Sequence, residues 1–82
     1  MNREIVFEKV RNEVEALASR AIQNPDQEIF KSRILDSLNI LHILMFIETE
    51  FDIKIQPFDI DLDTLGTLNK ICDYVLGKAE NK

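Results

Sequence analysis

Four sets of side chains in this 82-residue chain could do covalent or coordination chemistry. They are Ser37, the single histidine His42, the single cysteine Cys72, and the alternating carboxylates Asp59, Asp61 and Asp63. A serine nucleophile needs a base within hydrogen-bond reach. Five residues apart on a helix, Ser37 and His42 diverge by about 140°, and no glycine-rich nucleophile turn is present, so serine hydrolysis is a poor fit. The three aspartates resemble the opening of a calcium loop. Its sixth position, however, is Thr64 instead of glycine, and its twelfth is Lys70 instead of a bidentate glutamate. They read instead as solvated acids between Ile60, Leu62 and Leu65. Cys72 shares the apolar side of a helical pattern with Leu68, Ile71 and Val75, the setting of a buried, inert thiol. The two glycines stand alone, so no phosphate-cradling loop exists. The chain does not read as an enzyme, and Ser37, between Asp36 and Leu38, is the residue left to explain.

The elements around it follow from apolar spacing. Phe7, Val10, Val14, Leu17 and Ala21 recur at three and four, with Ala18 and Ile22 widening the stripe, and predict an amphipathic helix from Asn2 to Ile22. Asn24-Pro25 ends it. Pro25 to Leu35 lacks periodicity and reads as a long loop anchored by Ile29 and Phe30 and again by Ile34-Leu35. Asp36 or Ser37 can start the next helix by accepting from a first-turn amide. Neither completes a capping box, because the third residue on is Asn39 or Ile40. That helix should reach about Phe51, followed by an extended Ile53-Lys54-Ile55 and a break at Gln56-Pro57. A single helical turn is expected over Phe58–Leu62. A last helix is expected from Thr67, stopping near Gly77, with a polar, frayed tail from about Lys78. The expected fold is all-α, with three principal helices, a short extra one between the second and third, and a long first loop.

The second helix has more apolar faces than a core requires. At about 100° per residue, Ile40, Ile43, Leu44, Ile47 and Phe51 form one stripe. Leu38, Leu41 and Met45 fall on a different flank beside Ser37, with Phe46 further round. Leu38 and Met45 are expected to be exposed, whereas Leu41 is open to two readings, exposure or cover by the first helix and the loop. Exposed apolar side chains beside a candidate modification site read as a docking surface, and His42 is expected at the surface of that same face.

Bulk properties bound the partners. With 45% apolar and 30% charged residues the chain reads as one globular domain spanning residues 1–82. A net charge of −5 disfavours nucleic acid and anionic membranes and favours basic protein surfaces. One cysteine excludes an internal disulfide framework. Glu4, Glu8 and Glu13 interrupt the first apolar pattern, so neither a signal sequence nor a membrane span is read, and a reducing, cytoplasmic setting is expected.

Asp36-Ser37-Leu38, opening an apolar helix after a long loop and an amphipathic helix, resembles the phosphopantetheine site of acyl and peptidyl carrier proteins. Phe30-Lys31-Ser32-Arg33-Ile34-Leu35-Asp36-Ser37-Leu38 resembles the loop-to-helix junction of the D-alanyl carrier branch. Glu48-Thr49-Glu50-Phe51-Asp52-Ile53-Lys54-Ile55 resembles the acidic helix end and extended exit of the wider family. Thr67-Leu68-Asn69-Lys70-Ile71 resembles the opening of the last helix of the D-alanyl type. The resemblance implies a four-helix carrier-protein bundle, monomeric, whose Ser37 receives 4′-phosphopantetheine from coenzyme A. Asp36 would define the helix start and present the motif. Leu38, Leu41, His42, Met45 and Glu48 would meet partners. Those partners would be a phosphopantetheinyl transferase, an acyl- or aminoacyl-activating enzyme, and a downstream transferase or synthase. Ile34 stands where fatty-acid carriers usually have glycine, and Asn39 and His42 stand where carboxylates often line the helix. These departures point to a specialised pathway, with D-alanine transfer in teichoic acid synthesis as one alternative. A helical adaptor that binds without any prosthetic group is the alternative from a different class.

Overall fold

The computed structural model describes residues 2–30 and 35–80. Its elements are α1 (Arg3–Ala18), α2 (Ser37–Phe51), a 3-10 turn (Pro57–Asp59), α3 (Leu62–Leu65) and α4 (Leu68–Glu80), with no strand among the described residues. The fold is therefore all-α, a small helical bundle. α4 packs along α1, against α2 and over α3, while α1 also packs on α2. One apolar core joins them.

α1 starts where Asn2 accepts the amide of Glu4 at 2.7 Å. Its fully buried row is Val6, Val10 and Val14, with Phe7 and Leu17 half-buried on either side. The expected run to Ile22 is corrected: the helix ends at Ala18, and Ala21 is exposed. Continued as a helix, Ile22 would lie about 120° round from Val10. Instead Ser19 turns left-handed at φ 57°, and the Glu15 carboxylate accepts the Ile22 amide at 2.6 Å. That bend returns Ile22 to the core.

α2 ends by the same device. Asp52 turns left-handed at φ 53°, Ile53 donates to the Glu48 carbonyl at 3.2 Å, and Ile55 donates to the Glu48 carboxylate at 2.8 Å. In both places a glutamate is followed four residues later by the left-handed residue and seven later by a buried isoleucine. The carbonyl satisfies the turn and the carboxylate satisfies the chain beyond it, which offsets the roughly 1–2 kcal/mol that a non-glycine residue costs in this region.

The long loop is strapped at its first half. Ile29 is fully buried and its amide donates to the Gly66 carbonyl at 3.0 Å; Phe30 is half-buried and Leu35 buried. Ile34, expected as an anchor beside Leu35, lies outside the described residues. Asn69 ties three segments together. Its amide donates to the Pro25 carbonyl at 3.1 Å, its side-chain nitrogen to Asp26 at 2.8 Å, and its side-chain oxygen accepts from Arg3 at 3.1 Å.

The turn expected over Phe58–Leu62 is instead two elements. Pro57, with no amide hydrogen to lose, opens the 3-10 turn. Asp61 then starts α3 by accepting the Thr64 amide at 2.8 Å. Thr67 caps α4 as expected, accepting from Lys70 at 3.1 Å. Leu68, Ile71, Cys72 and Val75 are fully buried, and burial pushes the Cys72 thiol up from its ordinary value.

Gly77 does not stop the last helix. The helix runs through it to Glu80, past the frayed tail expected from Lys78, and Gly77 has no positive φ. Lys78 is held in place, its Nζ 3.8 Å from Asp59 and 5.6 Å from the centre of the Tyr74 ring. A Cβ built on Gly77 meets nothing within 4 Å. Gly77→Ala is therefore expected to raise unfolding stability by up to about 1 kcal/mol, read as a higher denaturant midpoint at unchanged slope.

Candidate functional site

The centre of the candidate site is the start of α2. Asp36, extended at φ −85° and ψ 179°, is the N-cap: its carboxylate accepts the Asn39 amide at 2.8 Å and its carbonyl accepts the Ile40 amide at 2.9 Å. The division of labour between the two polar residues is thereby settled in favour of Asp36 as the cap. Ser37 is the first helical residue and is exposed. Its own amide and that of Leu38 belong to the first turn, where helix geometry supplies no intrahelical acceptor. The positive end of the helix macrodipole lies there too. Together these features suit an anionic phosphodiester carried on the Ser37 oxygen.

Around Ser37 the surplus apolar flank is open. Leu38 is 76% exposed, Leu41 56% and Met45 68%, whereas Ile43, Leu44, Ile47 and Phe51 are buried. Phe46 is half-buried on the helix's other edge, its ring 6.2 Å from that of Phe51 in an edge-on contact. α2 therefore buries one stripe and presents another.

His42 is half-exposed, but it is not part of the open apolar flank alone. Its Nε2 lies 2.7 Å from the Glu13 carboxylate on α1. One turn and then another along α2 come Phe46 and Glu50, and Glu50 accepts from Lys9 of α1 at 2.6 Å. His42, Phe46 and Glu50 share one edge of α2, so two polar cross-links, with an aromatic between them, close its seam with α1. Sequence spacing could not show the His42–Glu13 pairing, since the partners stand 29 residues apart. The structure does not bring His42 to Ser37 as a base.

Glu48, expected among the partner-facing residues, has one carboxylate oxygen committed to the Ile55 amide. Its removal has a structural cost. Glu48→Ala is expected to destabilise the fold by about 1–2 kcal/mol, with Glu48→Gln recovering most of that loss. Urea unfolding of the three proteins measures both.

Of the three alternating aspartates, Asp63 is exposed and the other two are engaged elsewhere. Asp59 accepts from the Tyr74 hydroxyl at 3.0 Å, and Asp61 caps α3. Burial, then the bond to Asp59, pushes the Tyr74 hydroxyl up to about 12, so it stays a neutral donor over the ordinary pH range. Among the described residues no group of three His, Cys, Asp or Glu side chains could hold a metal ion. Nor, among them, is any helix long and apolar enough to cross a membrane. A scan against protein-family models finds none that matches the chain.

Proposed function

We propose that this protein is an acyl carrier protein of the phosphopantetheine-dependent kind, with Ser37 as its attachment residue and a four-helix carrier bundle as its fold. The observation that carries the reading is the pairing of an exposed Ser37 on the first turn of α2 with the exposed Leu38, Leu41 and Met45 flank. An ordinary core helix needs neither.

Ser37 Oγ is the nucleophile toward a phosphorus of the coenzyme A pyrophosphate. A new P–O bond forms to Oγ, the bridging P–O bond breaks, the adenosine bisphosphate half leaves, and the hydroxyl proton passes to the transferase. Asp36 holds the start of the helix so that Oγ stands clear of the protein surface. The amides of Ser37 and Leu38, with the helix dipole, offset the charge of the phosphodiester. Once attached, 4′-phosphopantetheine supplies a flexible thiol that holds an acyl or aminoacyl group as a thioester. Leu38, Leu41 and Met45 give transferase, activating enzyme and downstream synthase an apolar contact beside the arm's root. The setting is cytoplasmic and the pathway a specialised one, because Asn39 and His42 give the front of α2 no carboxylate. D-alanine transfer for teichoic acid is one such pathway.

The same exposed flank supports a second reading, a non-covalent helical adaptor. Incubation with coenzyme A and phosphopantetheinyl transferases of broad specificity separates the two. The carrier gains the mass of one phosphopantetheinyl group. An adaptor keeps its mass with every transferase, and its partner binding is indifferent to Ser37→Ala.

A further inference from the structure

A groove of about 740 Å³ runs between the chain leaving α2 and the second half of α4. Asp52, Ile53, Lys54 and Gln56 line one wall; Asp73, Tyr74, Gly77 and Lys78 line the other. Residues 53–56 alternate as a strand does, although no described strand pairs with them. Ile53 and Ile55 are buried and Lys54 is exposed. The amides of Ile53 and Ile55 turn to one side, to the carbonyl and the carboxylate of Glu48. The Gln56 amide turns to the other side and faces the Tyr74 hydroxyl of α4. In extended backbone the N–H and C=O of alternate residues share a side. Those of Lys54 therefore face the groove with Gln56, and among the described residues none accepts the Lys54 amide. The wall across from it is open. At Gly77 α4 continues without a side chain, and a Cβ built there meets nothing within 4 Å.

Charge selects what this edge receives. Asp73 is paired with Arg3, and Lys78 lies 3.8 Å from Asp59. Asp52 is itself engaged and sits in the left-handed turn, outside the extended register. Lys54 is thus the groove's charge without an opposite among the described residues. A second copy of the chain is a poor occupant. Centring one edge on the other sets Lys54 against Lys54, between molecules of net charge −5. A carboxylate across from Lys54 suits it, and the same net charge limits the occupant to one acid instead of an acidic run.

We infer that the Lys54 edge is a strand-addition site, which receives an extended segment of another protein with one acidic residue between two apolar ones. The acidic residue pairs antiparallel with Lys54 and exchanges both backbone hydrogen bonds with it. Its carboxylate then lies beside the Lys54 ammonium. The two apolar side chains turn to the face shared by Ile53 and Ile55, where Gly77 leaves room. The site does not depend on what Ser37 carries.

The test is an NMR titration of the full chain, following backbone amides, with blocked peptides acetyl-Thr-X-Glu-X-Thr-amide in which X is Val, Ile or Phe. One or more of the three should shift the amides of Lys54, Gln56 and the facing part of α4, with a Kd on the order of 1 mM. Hydrogen exchange at the Lys54 amide should slow as the site fills. Replacing the peptide's Glu by Lys should weaken binding about fivefold, and Lys54→Glu in the protein should reverse that preference. Gly77→Leu, which fills the groove without a clash in the free protein, should weaken binding by about tenfold or more at unchanged helicity. The inference is overturned if none of the three peptides moves the Lys54 amide, or if Gly77→Leu and wild type bind equally well. A Lys54 amide that shifts with protein concentration alone identifies a second copy as the occupant and overturns it too.

Discussion

Ser37→Ala is expected to abolish phosphopantetheinylation completely while leaving helicity and unfolding stability within about 0.5 kcal/mol of wild type. The stability side of this expectation follows from geometry. Ser37 is exposed, and the capping bond at its helix start comes from Asp36. Removing the hydroxyl therefore takes away no cap. Asp36→Ala supplies the contrast, because it deletes the acceptor for the Asn39 amide and should cost about 1 kcal/mol while the nucleophile itself survives. A carrier separates these two losses, with modification absent in one variant and stability reduced in the other. Were Ser37 no more than a surface residue of a helix start, the Ser37 variant would differ from wild type in nothing measurable. Circular dichroism, urea unfolding and intact mass on both variants give the comparison.

Ile47→Ala should give the largest loss of stability among the substitutions considered. Ile47 is fully buried on the core stripe of α2, between the fully buried Ile43 and the nearly buried Phe51 along the same helix. Truncation there loses the transfer free energy of the removed carbons and leaves a cavity, about 2–5 kcal/mol together. A chain of 82 residues has a total stability on the order of 4–12 kcal/mol, so the variant forfeits a large share of it. Leu41→Ala, on the open flank of the same helix, should change stability by less than about 0.5 kcal/mol. The ratio of the two effects in equilibrium urea unfolding measures directly how one-sided the burial of α2 is.

Much of this asymmetry could be read before the structure. Apolar residues beyond what one stripe can use must either be covered by another element or be left open. The short bundle has too few elements to cover Leu38 and Met45; for Leu41 helical spacing left cover by the first helix and the loop open, and the structure shows it exposed. The start of α2 was legible because a cap is a local event: one side-chain oxygen, one amide three residues on. Thr67 and the burial of Cys72 were legible for the same reason and from helical spacing.

The ends of helices were less legible. Proline at position 25 marked where α1 had to be over, but the actual stop at Ala18 depends on Glu15 reaching forward to the amide of Ile22. A glutamate seven residues before a buried isoleucine looks like an ordinary surface acid on a helical wheel. The repetition of that spacing at Glu48 and Ile55 is the signal that could have found both. Gly77 misled in the opposite sense. Glycine is favoured beyond helix ends because it tolerates left-handed backbone, yet here the backbone stays helical and α4 continues to Glu80. The lysine after it is tied back to Asp59. Contacts between residues distant in sequence, His42 with Glu13 and Asn69 with Asp26 and Arg3, leave no periodic trace at all. They depend on how helices are placed, which local patterns do not encode.

The central claim is that the exposed serine at the start of α2 is a covalent attachment point. Intact-protein mass spectrometry of the chain purified from its native source, under conditions that preserve thioesters, tests it most directly. The expected result is one phosphopantetheinyl group located on Ser37, with a fraction of molecules carrying additional acyl or aminoacyl mass. A single unmodified mass in the native protein, unchanged after coenzyme A and transferase are added, would contradict it.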